Sequence, residues 1–168
     1  MTLKNLTTQR EKADNACASP ADCTQVAEAL SGFLASTYAL YQKSLFYHWN
    51  VVGPNFVGLH SLFESQYQDL HKAGDEVAER IRALGRFAPG TLAEFASLSH
   101  VKEDKSLPEN AEIMVKKLLE SHELCSMQAR EVLEIADEAR DDVTFDLLVS
   151  RKAFHDKAAW MLRAISHN

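Results

Sequence analysis

The sequence predicts an all-α protein, a four-helix bundle with one long connection. Three observations predict it. Turn residues are scarce, with 6 Gly and 4 Pro in 168 residues, so the chain runs in a few long elements and not in the many short strands of a sandwich. Apolar residues recur at steps of three and four along four long segments. The middle two segments are separated by roughly twenty residues, enough to run the length of a bundle, while the other connections are short.

Taken in order, residues 1–23 read as a flexible N-terminal arm. Polar and small residues dominate there, and Pro20 is expected to break any helix. The arm's charges cancel: Lys4, Arg10 and Lys12 against Glu11, Asp14 and Asp22. The first helix is expected to start at Thr24, a residue type suited to capping, and to run to about Val51. Leu30, Leu34, Thr37, Tyr41, Ser44 and His48 fall on one stripe of it. Gly53-Pro54-Asn55 stops it. The second helix should run from Asn55 to Leu84, with Leu59, Phe63, Leu70, Val77, Ile81 and Leu84 as its apolar stripe and Gly85 just past its end. Pro89-Gly90 interrupts the long connection, and Thr91–Leu98 is a short amphipathic piece that makes a short extra helix. The third long helix is expected from Pro108, a helix-start residue, to about Ala139. The fourth runs from Asp141 to Ser166. Residues 24–168 then form one domain, in the ferritin-like arrangement of a bundle with a single crossover.

Composition excludes several classes. Apolar residues make up 46% and charged residues 25%, an ordinary globular mix. The net charge of −6 sets an acidic surface against any phosphate backbone. No run of about 18 apolar residues exists, so no membrane span is expected. Met1-Thr2-Leu3-Lys4-Asn5 lacks the apolar core of a signal peptide. Cys17, Cys23 and Cys125 form no CxxC pair, which predicts free thiols in a reducing cytoplasm, with a disulfide of Cys17 and Cys23 within or between chains as the lesser alternative.

The residues that carry chemistry are His48, His60, Glu64, Asp75 and Glu79. Imidazole with carboxylate suits Fe(II), Mn or Zn, and no thiolate lies nearby in sequence. His60 and Glu64 stand four apart, as do Asp75 and Glu79, so each pair shares a helix face. The two pairs are 15 residues apart, or roughly 22 Å along a helix. Ligands of one ion lie only a few ångströms apart. One chain therefore cannot close this site. Two chains can, if their second helices pack antiparallel about a two-fold axis near Asp69-Leu70, which makes two sites per dimer. The plainer alternative is solvated carboxylates, with Glu76, Glu79, Arg80 and Arg82 in weak surface pairs.

Residue identities add to the spacing. The run His48-Trp49-Asn50-Val51-Val52-Gly53-Pro54-Asn55-Phe56-Val57-Gly58-Leu59-His60 resembles the Dps family, the miniature ferritins. So do Asp75-Glu76-Val77-Ala78-Glu79-Arg80-Ile81-Arg82-Ala83-Leu84-Gly85 and the stretch from Asp141-Asp142-Val143-Thr144 through His155-Asp156-Lys157-Ala158-Ala159-Trp160-Met161-Leu162-Arg163. The resemblance implies a hollow homododecamer built from two-fold dimers. It implies a ferroxidase site, two irons per inter-subunit site, with His48, His60 and Glu64 from one chain and Asp75 and Glu79 from its neighbour. Many relatives carry Asp where this chain has Glu64. Zinc is a plausible substitute metal. The resemblance also implies Fe(II) and hydrogen peroxide as reactants, ferric mineral stored in the cavity and protection from oxidative stress.

Further roles attach to single residues. Trp49, beside His48, can trap stray oxidising equivalents or simply pack in an interface. His71, four residues before Asp75, is a surface or interface histidine before it is a fifth ligand. Asp141, Asp142 and Asp146 open the last helix, where acids suit the positive end. The family's three-fold pores place carboxylates in this region, and Asp142 and Asp146 are the better pore candidates. Glu120-Ser121-His122-Glu123 lacks the Glu-x-x-His spacing of an intra-bundle site, so none is expected. The arm is charge-neutral and lacks a lysine-rich tract, so DNA binding is expected to be weak or absent. Three readings stay open: an iron-oxidising, iron-storing cage; a DNA-compacting nucleoid protein with secondary metal chemistry; and a bundle whose interface metal only holds a dimer.

Overall fold

A computed structural model describes residues 16–166. Its elements are α1 (Pro20–Asn50), α2 (Phe56–Ala83), α3 (Leu92–Leu98), α4 (Ala111–Glu138) and α5 (Asp142–Ser166). No strand occurs among the described residues. Residues 1–15, which hold most of the arm's charges, lie outside them.

The ends of the helices follow capping chemistry. α1 starts at Pro20, four residues before the expected Thr24. Pro20 does not break the helix because it occupies the first turn, where its missing N–H has no partner to lose. Ser19 is extended and its Oγ accepts from the Asp22 N–H at 3.2 Å. Asn55 and Leu84 flank α2 as caps, and Gly85 adopts φ +77 just beyond. Thr91 and Glu94 form a reciprocal capping box on α3. α4 starts at Ala111 and not at Pro108, because Asn110 is extended and its side chain accepts from the Ile113 N–H at 3.0 Å. Arg140, with φ 56, turns the α4–α5 corner.

Helices α1 and α2 pack as one hairpin, α4 and α5 as another, and α1 also packs on α4 and on α3. The core falls into two apolar clusters. One joins Leu30, Phe33 and Leu34 of α1 to Val77 and Ile81 of α2, Val132 of α4 and Leu148 of α5. The other joins Leu40 and Tyr47 of α1 to Leu59, Phe63 and Leu70 of α2, Leu118 of α4 and Leu162 of α5. Leu84 ends α2 in the first cluster and Met114 begins α4 in the second, so the connection between them runs the length of the bundle. Buried polar groups of α4 and α5 sit near the boundary: His122, Gln128, Arg151 and His155.

One expectation is overturned. Cys17 and Cys23 are not free thiols but are joined by a disulfide, with Cα atoms 5.5 Å apart. The early start of α1 brings this about, since it folds Cys23 into the first turn and returns the chain to Cys17. Cys125 is free and buried; burial pushes its thiol up to about 12.

Candidate metal centre

His48 lies in the last turn of α1 and His60 in the second turn of α2. The tight Gly53-Pro54 turn between the helices folds them together. Gly53 holds φ +116 there, a conformation L side chains rarely adopt. The two rings stack with centroids 3.8 Å apart and planes at 21°. Their hydrogen bonds are reciprocal. The His48 Nδ1–H donates to the His60 carbonyl and the His60 Nδ1–H donates to the His48 carbonyl, each at 2.9 Å. A carbonyl only accepts, so both Nδ1 atoms carry the proton. That arrangement leaves Nε2 as the nitrogen through which either ring can bind a metal.

His48 is buried and His60 half-buried. Glu64, one turn past His60, is half-buried, and its Oε1 accepts from the Gln68 amide at 3.4 Å. Asp75 and Glu79 lie far along the same helix and are exposed. The fold therefore brings His48 and His60 together, leaves Glu64 on the same face, and does not bring Asp75 or Glu79 to them. No group of three or more candidate ligands converges among the described residues of one chain.

Aromatic rings surround the histidines. Tyr67 lies 5.2 Å from His48 and Phe56 5.0 Å from His60. Trp49, next to His48 in the chain, is 63% exposed. His71 is exposed on α2, with its ring 5.3 Å from Tyr41. The surface around the turn is apolar: Val52, Phe56 and Val57 are exposed with Trp49.

The three aspartates of the last helix separate. Asp141 is buried. Its Oδ1 accepts from Arg80 at 2.6 Å and from the Thr144 N–H at 2.9 Å, which caps α5. That carboxylate is engaged in the fold. Asp142 and Asp146 are exposed. Arg80, read from sequence as a partner of surface acids, turns inward to Asp141 instead, while Glu76 pairs with Lys72 at 3.5 Å.

Sequence reasoning missed a second histidine pair. His122 of α4 and His155 of α5 are both fully buried, with their Nδ1 atoms 3.0 Å apart. Both Nε2 atoms lack a partner among the described residues. Burial, aided by the nearby Arg151 charge, pushes His122 down to about 3, and burial, aided by the neighbouring His122 and then by Arg151, pushes His155 well below the ordinary range. The available signal was position: His122 continues the stripe Leu118, Cys125 and Ala129.

Comparison with known proteins decides the family. The ferritin family model, a ferritin-like domain, matches residues 27–168. The DNA protection during starvation protein 2 of Bacillus anthracis is 36% identical over 140 residues, covering 83% of this chain and 95% of that one. The chain belongs to the Dps family of ferritin-like proteins. The crystal structure of Dps from Staphylococcus aureus matches with a TM-score of 0.83 and 36% identity, over 86% of this chain and 97% of the other. The Dps protein of Vibrio cholerae O1, described as a member of a broad superfamily of ferritin-like diiron-carboxylate proteins, matches with a TM-score of 0.83 and 29% identity, over 87% and 91%. Among the described residues of this Dps chain, no helix is long and apolar enough to cross a membrane.

Proposed function

We propose that this protein is an iron-oxidising and iron-storing miniature ferritin. In this reading His48, His60 and Glu64 of one subunit meet Asp75 and Glu79 of its two-fold partner, and iron is oxidised where they meet. The reciprocal histidine hydrogen bonds carry the reading, because they orient both rings with Nδ1 turned to a carbonyl and leave Nε2 as the nitrogen that can bind a metal. The exposure of Asp75 and Glu79 supports it, since carboxylates that complete a neighbour's site must be free in their own chain. The exposed apolar surface of Trp49, Val52, Phe56 and Val57 supports association. So does α3, which buries no residue within its own chain although it carries Leu92 and Leu98.

Fe(II) is the substrate. His48 and His60 supply neutral nitrogens, and the carboxylates supply negative charge that favours the ferric product. Hydrogen peroxide is the preferred oxidant. Two Fe(II) give one electron each, the O–O bond breaks, two protons are taken up and two waters form, so no hydroxyl radical leaves. Trp49 is a candidate sink for stray oxidation. Asp142 and Asp146 are candidate pore residues that draw Fe(II) inward. The assembly is a cytoplasmic dodecamer that stores ferric mineral and protects against oxidative damage. Zinc can occupy the same ligands.

Direct compaction of DNA is the second reading, and the name of the Bacillus anthracis relative favours it. The net charge of −6 per chain opposes it, and we place any DNA binding as weak or absent.

Anaerobic Fe(II) loading followed by peroxide tests the proposal. Ferric absorbance should rise fast in the wild type and lose its fast phase in His60→Ala and in Asp75→Ala. Mixed subunits of the two variants should recover it, because one of the two sites in each mixed dimer is whole. No acceleration over a protein-free control would sink the iron-oxidising reading.

A further inference from the structure

We propose that Cys17 and Cys23 are a redox-active dithiol that reduces hydroperoxides, and that closing their disulfide locks the N-terminal segment onto the α4–α5 corner. This activity is separate from the iron site and needs no metal.

Three features of the structure lead here. The first is proximity: the two cysteines are bonded, six residues apart in sequence, with a Cα separation of 5.5 Å, which any flexible segment reaches without strain on the helix. The second is an asymmetry of access. Cys17 is only partly buried, outside the helix, while Cys23 is 6% exposed and belongs to the core cluster with Val26, Ala27 and Leu30. One sulfur can meet a small oxidant from solvent and the other waits behind it. The third is the helix end. Cys23 sits in the first turn of α1 behind Ser19 and Pro20, its N–H donating to the Ser19 carbonyl at 3.1 Å, so it is held in place to close on the attacked sulfur.

The chemistry balances with hydrogen peroxide as the oxidant. The Cys17 thiolate attacks one peroxide oxygen, an S–O bond forms, the O–O bond breaks and hydroxide leaves to take a proton. The Cys23 thiolate then attacks the Cys17 sulfenic sulfur, the S–S bond forms and the second oxygen leaves as water. Two thiol hydrogens and one peroxide give two waters and one disulfide. A dithiol reductant of the compartment returns the pair to its starting state. Disulfides of this kind in a reducing compartment are transient and redox-linked.

Closure has a structural consequence. The Ala18 N–H donates to the Ala139 carbonyl at 2.9 Å, and Ala16 and Cys17 pack on the core cluster that includes Ala139. The disulfide ties this short segment to α1, so its contact with the corner becomes part of the fold. Two residues on, Asp141 holds Arg80 and caps α5. Cys125 is the built-in control. It is buried and its thiol is pushed up to about 12, so it takes no part.

The test uses the full chain, metal-free in excess EDTA, so that its result stands apart from iron oxidation. The protein is reduced, desalted, treated with one equivalent of hydrogen peroxide, then denatured and alkylated with N-ethylmaleimide. Mass spectrometry should show three alkylated cysteines before peroxide and one after, at Cys125, with loss of two hydrogens from the peptide pair. Peroxide consumption should be one per chain. Cys17→Ser should abolish it and leave Cys23 alkylated. Cys23→Ser should leave Cys17 as a sulfenic acid that dimedone captures. Hydrogen exchange at the Ala18 amide should be about tenfold slower in the oxidised form than in the reduced form. Three alkylated cysteines after peroxide would overturn the proposal. So would a Cys17–Cys23 bond that a dithiol reductant cannot open in the folded protein, since the bond would then be a permanent staple.

Discussion

Two histidine pairs in this bundle use the same side chains for opposite ends. At His48 and His60 each Nδ1 faces a backbone carbonyl, so both rings donate through Nδ1. At His122 and His155 the two Nδ1 atoms face each other at 3.0 Å. One ring must then donate and the other accept. Surroundings differ as well. His60 has Glu64 one turn away at the surface. Around the buried pair, Arg151 is the acting charge, and it raises the cost of protonation. Asp69 of α2 answers Arg151 at 2.6 Å and does not answer the histidines. Asp156 pairs with Lys152 and Ser126, and Glu123 pairs with Arg163. What surrounds a ring, more than the ring itself, decides whether it is suited to bind a metal or is a neutral part of the core.

Acid breaks the comparison hardest. The buried rings stay neutral in the fold, while in the unfolded chain they protonate below about 6.5. The unfolded state therefore binds more protons, and stability falls as pH falls from there toward the native pKa, about 3 for His122. Each such ring costs about 1.4 kcal/mol per pH unit over that window. Urea unfolding from pH 7 to pH 4.5 should show a steep loss in the wild type and a loss smaller by several kcal/mol in His122→Leu/His155→Leu. Parallel losses would mean that the pair is charged in the fold.

A pair of adjacent aspartates gives the next largest effect. Asp141→Ala strands the largely buried Arg80 and uncaps α5, and should cost about 3–5 kcal/mol. Asp142→Asn, one residue on but exposed, should stay within about 0.5 kcal/mol. Thermal melts of the two variants measure this directly, and equal shifts would refute the assignment of Asp141 to the fold.

The sequence made the helices legible because their apolar stripes are long, and Leu59, Phe63, Leu70, Val77 and Ile81 of α2 are all buried as the periodicity requires. It was less clear at the ends. Pro20 reads as a breaker in isolation and as a first-turn residue only once Ser19 is seen to cap. Asn110 displaced Pro108 for the same reason. The pairing of His48 with His60 was open to suspicion from residue types, but their reciprocal carbonyl bonds depend on the angle of the α1–α2 turn, which no spacing encodes. The Cys17–Cys23 bond stood only as the lesser alternative because cysteine counting weighs compartment and motif, whereas pairing depends on where α1 begins. Arg80 could not be assigned between surface acids and Asp141 without the position of the α4–α5 corner.

Metal affinity sharpens the contrast between the histidine pairs. His48→Ala removes the proposed nitrogen ligand and the ring stacked on His60, while the backbone carbonyl that accepts from His60 stays, so Zn(II) binding measured by calorimetry should weaken at least about tenfold, or about 1.4 kcal/mol. His122→Leu should leave it unchanged. A loss in the second variant equal to the first would place metal inside the bundle.

The smallest effect belongs to the exposed acids at the start of α5. If Asp142 and Asp146 line an iron route, they act through long-range attraction and not through tight binding. Asp142→Asn/Asp146→Asn should then slow iron uptake about threefold at low ionic strength, with the oxidation site left whole. Salt should erase the difference, because a Debye length of about 3 Å at 1 M screens such attraction. Oxidation rates at saturating Fe(II) should match the wild type, which separates access from chemistry. Unchanged uptake at low ionic strength would take the start of α5 off the route, and its exposed acids would be left with the local task of facing a positive helix end.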